Sequence, residues 1–124
     1  MAKAGYCIFI GVGEDGLSEE DEEKLPEVIR LIYNFEFVAL RGEGVVEEVE
    51  FQRLDFGRYE DADGGQFAGF GAIVYREWHD SSTCPVDIFS ICQKAEMLLK
   101  KVAEIFQSWG LSAKPLLLNF CGYD

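Results

Sequence analysis

The chain has 124 residues, of which 48% are hydrophobic, and its 23 acidic and 11 basic side chains give a net charge of −12. This length predicts a single domain over residues 1–124, and the apolar content argues against a disordered chain. The charge argues against direct binding to nucleic-acid phosphates or to an anionic membrane, because both need clusters of Lys and Arg.

The negative charge is concentrated in the first half of the chain. Residues 1–63 contain 17 acidic and 6 basic residues, a net charge of −11, whereas residues 64–124 contain 6 acidic and 5 basic residues, a net charge of −1. Such an imbalance is compatible with a basic protein partner, with divalent cations, or with solubility alone.

The N-terminal residues show no hydrophobic region of a signal peptide ahead of a cleavage site. No apolar run in the sequence approaches the roughly 18–20 residues that a membrane-spanning helix needs. We therefore expect a cytoplasmic protein, in the organism's own cell or in a host cell.

The first predicted element is a strand over residues 4–12, whose continuous apolar run is typical of a strand buried on both faces. Residues 11–16 then match the dinucleotide-binding pattern G-x-G-x-x-G between a strand and a helix. We reject that function, because the acidic residues in and after the segment would repel a phosphate at the helix N-terminus. The segment is predicted to be a glycine-rich turn.

A helix start is predicted at Ser18, a capping residue with Asp21 three positions later, as in a capping box. The acidic run Glu19–Glu23 favours the positive end of a helix dipole. Pro26 leaves two interpretations open: residues 18–24 form a separate turn, or Pro26 opens the main helix. Beyond Pro26, apolar residues recur at helical spacing.

Three further strands are predicted before the next helix, at residues 35–40, 45–56 and 67–78. A short hairpin connection is predicted at residues 42–44. The acidic residues Glu47, Glu48 and Glu50 indicate an edge position or a solvated face for their strand. The glycines of the 67–78 strand would allow a helix to approach closely or would mark a bend.

A long helix is predicted from Pro85 to Trp109, with Ser82 or Thr83 as its cap and Gly110 ending it. Apolar side chains recur along it at intervals of three and four residues. At 1.5 Å per residue the helix is roughly 36 Å long, similar to a twelve-residue strand, so it can cover a long hairpin.

A last strand is predicted at residues 116–121, which completes the order β-α-β-β-β-α-β. Without the 35–40 strand the order is β-α-β-β-α-β, that of the ferredoxin-like fold. We therefore expect an α+β fold, ferredoxin-like or a close variant, with two helices packed on one face of a mostly antiparallel sheet. The opposite face would be free for solvent, a second copy of the chain or a partner.

The cysteines fit no zinc or redox spacing, and the sequence contains a single His. Cys7, Cys92 and Cys121 lie in apolar runs, which predicts buried free thiols. His79 and Cys84, with Asp80 between them, form the single arrangement that could supply a nucleophile. Because no oxyanion donors can be identified, a helix-entry loop is the favoured interpretation, and an enzyme using this region is a third hypothesis.

The loop that contains Glu60, Asp61 and Asp63 has two Asp at alternate positions followed by glycines. It lacks the downstream bidentate Glu that completes an EF-hand calcium loop. We therefore predict a solvated turn there, and no metal or cofactor for the protein.

The acidic segments support the leading hypothesis, a non-enzymatic module that binds a larger protein with a basic surface. A solvated surface is the simplest interpretation, but acidic surfaces also steer association with positively charged proteins. An inhibitor or a neutralising protein of the immunity or anti-defence type, from a virus or mobile element, is the sharper form. The predicted partner-binding residues are Glu19, Glu20, Asp21, Glu22, Glu23, Glu47, Glu48, Glu50, Glu60, Asp61 and Asp63.

The alternative hypothesis is a small structural or assembly subunit, for example of a viral particle, that forms homo-oligomers. A free sheet face, an edge strand and many aromatic residues would serve such a subunit.

Overall fold

The computed structural model describes residues 4–33, 43–56, 66–79 and 87–123. Within these ranges the chain forms an α+β fold with one open, antiparallel, five-stranded sheet and three helices. The strands lie in the order β2-β3-β4-β1-β5. In chain order the elements are β1 (Ala4–Gly13), α1 (Glu19–Glu23), α2 (Glu27–Tyr33), β2 (Glu43–Val46), β3 (Val49–Phe56), β4 (Gln66–His79), α3 (Ile88–Ser108) and β5 (Leu116–Tyr123).

β1 is an inner strand buried on both faces, as its continuous apolar run predicts. It pairs with β4 on one side and with β5 on the other, both antiparallel. Ile10 and Val12 belong to the core beneath the helices, whereas Cys7 and Phe9 join Leu54 in a smaller cluster. Because side chains alternate along a strand, the smaller cluster lies on the opposite face of the sheet.

The main core lies between the sheet and the helices and is built around aromatic rings. Phe51 of β3 and Phe70 of β4 both meet Phe106 of α3, with ring centroids 6.4 and 6.2 Å apart. Trp109, just beyond α3, packs on Phe51 at 5.8 Å. Such ring pairs bury large apolar areas, and they fix α3 on the sheet.

Pro26 separates two helices rather than bending one. α1 ends at Glu23, and the Pro26 carbonyl accepts hydrogen bonds from the N–H groups of Ile29 and Arg30, at 3.0 and 2.8 Å, in the first turn of α2. Proline suits this position because it has no N–H to leave unpaired. Residues 18–24 are thus a separate element, and Pro26 opens the next helix, so both interpretations hold in part. The prediction of two helices is corrected to three.

The predicted 45–56 strand is divided by a two-residue hairpin turn. Glu47 and Glu48 have φ angles of 48° and 70°, and the turn they form joins β2 to β3. The prediction of one strand is wrong, and so is the predicted hairpin connection at 42–44, because β2 begins at Glu43. Hairpin turns with two positive φ angles usually contain Asn, Asp or Gly, so two Glu gave no turn signal. The predicted 35–40 strand lies outside the described residues.

Asp87 caps α3. Its carboxylate accepts hydrogen bonds from the N–H and the hydroxyl of Ser90, at 3.2 and 2.8 Å. The prediction that the helix starts at Pro85 with a cap before it is wrong, because Asp87 satisfies the first-turn donors instead. The end is as predicted: Ser108 is the last helical residue, and Gly110 follows with a φ of 76°.

The glycines of the G-x-G-x-x-G match serve strand pairing and a turn. Gly11 lies in β1 opposite Gly71 of β4, and a Cβ on Gly11 would collide with the Phe70 carbonyl. The N–H of Gly16 donates to the Gly13 carbonyl at 2.9 Å, which closes the turn after β1. The close neighbour of the β4 glycines is thus a strand rather than a helix. The alternative, a bend, agrees with the register shift between β3 and β4 beside Gly69.

Two cysteines differ from each other in burial. Cys7 is a buried free thiol, as predicted, and burial raises its pKa. Cys92 is free but exposed on α3, so the prediction of its burial is wrong. The first half of α3 is covered less than its apolar spacing suggests, since its buried residues begin at Leu98.

Candidate acidic docking surface

α1 presents three of the predicted carboxylates to solvent, those of Glu19, Glu20 and Glu23. The helix begins at Ser18, whose hydroxyl accepts a hydrogen bond from the Asp21 N–H at 3.2 Å. The predicted cap at Ser18 is therefore confirmed.

Asp21 is buried, with 2% of its surface exposed, and its carboxylate is used inside the protein. It accepts hydrogen bonds from the N–H and hydroxyl of Ser112, both at 2.9 Å, and from the N–H of Ala113 at 3.2 Å. These bonds, that from the Ser112 backbone foremost, hold the pKa of Asp21 below its usual value. Asp21 ties α1 to the segment between α3 and β5, and it is not accessible to a partner.

Glu22 is half-buried and is held by the end of α2. Its carboxylate accepts a hydrogen bond from the Tyr33 hydroxyl. Burial and then this bond raise the pKa of Tyr33 to about 12. The Arg53 guanidinium donates to the carbonyls of Ile32 and Tyr33, at 3.2 and 2.8 Å, and thereby satisfies the carbonyls at the end of α2.

The β2–β3 turn exposes a second acidic group, formed by Glu47, Glu48 and Glu50. The Glu48 carboxylate lies 3.6 Å from the ammonium of Lys101 on α3. The Glu50 carboxylate accepts a hydrogen bond from the Gln52 amide at 3.3 Å. Because the Glu48 side chain is 90% exposed, its ion pair leaves it largely hydrated and available.

Both acidic groups lie next to α3, at different points along it. The Lys24 ammonium at the end of α1 donates to the Gly110 carbonyl at 3.1 Å, just past the end of α3. Lys101 marks the contact with the turn, about 10 Å before the end of α3 at 1.5 Å per residue.

We define the acidic surface as the two groups of exposed carboxylates on α1 and the β2–β3 turn. Asp21 and Glu22 are engaged within the chain, and Glu60, Asp61 and Asp63 lie outside the described residues. The members of the acidic surface are Glu19, Glu20, Glu23, Glu47, Glu48 and Glu50.

No local pattern indicates the contact between Asp21 and Ser112, which are 91 positions apart. The pattern Ser18-x-x-Asp21 indicated a reciprocal capping box, but the Asp21 carboxylate bonds to Ser112 and Ala113 instead. Arg53 at the end of α2 was missed for the same reason, since its acceptors are 20 and 21 positions away.

The part of the chain that the structure describes contains no group of three or more His, Cys, Asp or Glu placed to hold a metal ion. None of its helices is long and apolar enough to cross a membrane. Asp80 and Cys84 lie outside it, so the enzyme hypothesis for the His79–Cys84 region stays a prediction.

Comparisons with protein-family models, with curated proteins and with solved structures found no match. The acidic surface is therefore the feature on which a functional proposal depends.

Proposed function

We propose that this chain is a non-enzymatic binding module that docks a larger protein with a basic surface through the acidic surface. The observation that supports the proposal is the exposure of six carboxylates on two segments, with the ammonium of Lys101 paired to one of them. A surface of this kind raises the rate of encounter with a positively charged protein and selects against acidic ones.

The way in which α1 is held adds to this argument. An isolated helix of five residues is not stable in water, because nucleation is costly. The Asp21–Ser112 hydrogen bonds and the bond from Lys24 to Gly110 fix α1 against the rest of the fold. A segment fixed before binding loses less conformational entropy when a partner docks.

The sharper form of the proposal is an inhibitor or neutralising protein, acting in the cytoplasm of its own or of a host cell. Closely spaced carboxylates can occupy a groove that otherwise holds nucleic-acid phosphates. For the fold we propose a ferredoxin-like variant with β2 as an additional edge strand. The order β3-β4-β1-β5, with helices between β1 and β3 and between β4 and β5, supports that assignment.

The test is affinity capture from native lysate at low and at high salt, followed by mass spectrometry. We compare wild type with the double variant E20Q/E23Q on α1 and with I88K/C92K at the opposite end of α3 from α1. All four residues are exposed, and both variants raise the net charge by 2. We expect E20Q/E23Q to bind a basic partner more weakly than wild type and I88K/C92K do, and high salt to release it.

A partner retained equally by both variants, or one retained unchanged at high salt, contradicts the proposal. Circular dichroism of each variant confirms that the fold is kept.

The second candidate function is an assembly subunit that forms homo-oligomers. It is favoured by the uncharged edge strand β5 and its exposed leucines.

A further inference from the structure

We infer that the groove between α3 and the β2–β3 turn binds an extended segment of the basic partner, in which arginine pairs with the acidic rim and an apolar side chain packs on Met97. This inference rests on the proposed function and deepens it, because it names a binding site and the chemistry of the segment that fits it. The described lining of this groove, which we call the α3 groove, comes from Glu48 and Val49 of the hairpin and from residues between Gln93 and Glu104 of α3.

The α3 groove has the dimensions of a short extended peptide. Its lining on α3 runs from Gln93 to Glu104, which is about 17 Å at 1.5 Å per residue. Five residues of an extended chain cover about the same length at roughly 3.3 Å per residue. The groove has a volume of about 590 Å³, which lies within the range of about 300–1,000 Å³ that is usual for binding clefts.

The base of the α3 groove is apolar. Val49 and Leu98 line it and belong to the main core, so they are fixed in place. Met97 lines it as well, and 59% of its surface is exposed. A methionine side chain is unbranched and adapts its shape to an apolar neighbour. Met97 therefore offers a contact to an apolar side chain of a bound segment.

The rim of the α3 groove carries more carboxylates than ammonium groups. The carboxylates are those of Glu48, Glu96 and Glu104, and the ammonium groups are those of Lys100 and Lys101. Lys101 is paired with Glu48 at 3.6 Å. Lys100 is four positions from both Glu96 and Glu104, so it can neutralise one of them at a time. Within the described lining, one carboxylate is thus left for a cation from outside.

Arginine suits this rim better than lysine does. Its guanidinium is planar and has five N–H donors, so it can bond to carboxylates on both sides of the groove at once. It is also less strongly hydrated than an ammonium group, and its aliphatic stem can lie on Met97. Because the Glu48 side chain is 90% exposed, its pair with Lys101 contributes little and is readily exchanged for a pair with the partner.

The charge distribution favours a basic partner over this chain itself. A second copy has a net charge of −12 and would be repelled. Each stretch of the chain outside the described residues contains at most one Lys or Arg, so none of them is a basic segment. Glu47 and Glu50 are exposed next to the groove and add to its preference for a cationic segment.

The test is fluorescence anisotropy of the full chain with the labelled peptide Arg-Leu-Arg-Leu-Arg and with versions in which Lys or Glu replaces each Arg. We compare wild type with M97Q and with the matched control L99Q, since Leu99 is 42% exposed and lies about 160° around α3 from Met97. The Kd of the arginine peptide should be about fivefold higher for M97Q and nearly unchanged for L99Q, because only Met97 covers the apolar side chain. The lysine peptide should bind more weakly, and the glutamate peptide should not bind.

A pair of charge variants separates the groove from the general field of the protein. E104Q in the groove and E19Q on α1 change the net charge equally, and we expect E104Q to raise the Kd of the arginine peptide more. Equal Kd values in E104Q and E19Q, equal values in M97Q and L99Q, or equal values for the arginine peptide and either replacement would each overturn the inference. So would a wild type that does not bind the arginine peptide.

Capture from lysate distinguishes failure of this inference from failure of the docking proposal. A basic partner that E20Q/E23Q binds weakly, and that M97Q retains as wild type does, would overturn the groove as its site and leave the docking proposal intact.

Discussion

The two edges of the sheet differ in almost every property that controls strand pairing. β2 has four residues, begins with Glu43 and ends in a turn made of two Glu. One face of β2 is also covered: Gly44 is buried against Val28 and Ile32 of α2. β5 has eight residues, no charge and two exposed leucines. Among the described strands, one edge is thus short, charged and beside the acidic β2–β3 turn, whereas the other is longer and uncharged.

The carboxylates of the β2–β3 turn and the exposed leucines of β5 thus lie at opposite edges of the sheet, whereas α1 contacts the segment that leads into β5. The proposed docking at the β2–β3 turn and the second candidate function, formation of homo-oligomers at β5, therefore involve different edges of the sheet. Salt should weaken the first complex and strengthen the second. Variants that damage one edge should leave the other intact.

The largest expected effect is that of D21A, which removes the carboxylate that holds α1. The N–H and hydroxyl of Ser112 and the N–H of Ala113 would lose their acceptor. We expect the free energy of unfolding to fall by about 2–3 kcal/mol, measured by urea denaturation, because these are hydrogen bonds to a charged group. E20A on the same helix is the control, and its effect should stay within about 0.5 kcal/mol. Equal losses of unfolding free energy in D21A and E20A would show that Asp21 does not hold α1 in place.

The same carboxylate should make stability depend on pH. Its pKa is lowered in the folded state, so the stability it provides is present above the unfolded value of about 3.9 and is lost as pH falls through the folded value. We expect the difference in unfolding free energy between wild type and D21N to be constant near neutral pH and to shrink below pH 3.9. A difference that stays constant in acid would mean that Asp21 is not held in its ionised form.

G44A tests the packing of α2 on β2. A Cβ at this position would lie 2.8 Å from the Ile32 Cδ1 atom and 2.9 Å from the Val28 Cγ2 atom, so α2 would have to move away from β2. We expect a loss of about 1–2 kcal/mol in unfolding free energy, the usual cost of overpacking. The exposed neighbour Val45 gives the control V45A, which should have a smaller effect. If G44A is as stable as V45A, α2 does not pack closely on β2.

The sequence predicts the α+β class, the inner position of β1 and the end of α3, because each depends on local pattern. Apolar continuity identified β1, and Gly110 stands where a residue with positive φ ends the helix. The same patterns could not show that Cys92 is exposed, because periodicity identifies a face but not what covers it.

The acidic surface was predicted as a set of residues, but its composition depends on contacts between distant segments. Asp21 does not belong to the acidic surface, because Ser112, 91 positions away, donates hydrogen bonds to its carboxylate. The turn at Glu47 and Glu48 was missed because its positive φ angles come from the pairing of β2 with β3, against the preference of Glu. Tertiary contacts thus decided which carboxylates remain at the surface.

The smallest expected effect is that of K101M, which removes the cation next to the acidic turn. The Lys101 ammonium is 3.6 Å from the Glu48 carboxylate, but both side chains are solvated, so the pair should add less than about 0.5 kcal/mol to the unfolding free energy. The loss of one positive charge should instead strengthen binding of a basic partner at low salt, because Glu48 becomes unpaired. L99M, at an exposed position two residues earlier on α3, is the control for the change to Met. A large loss of stability in K101M but not in L99M would mean that the β2–β3 turn depends on its ion pair. The turn would then be held by charge rather than by the packing of β2 on α2.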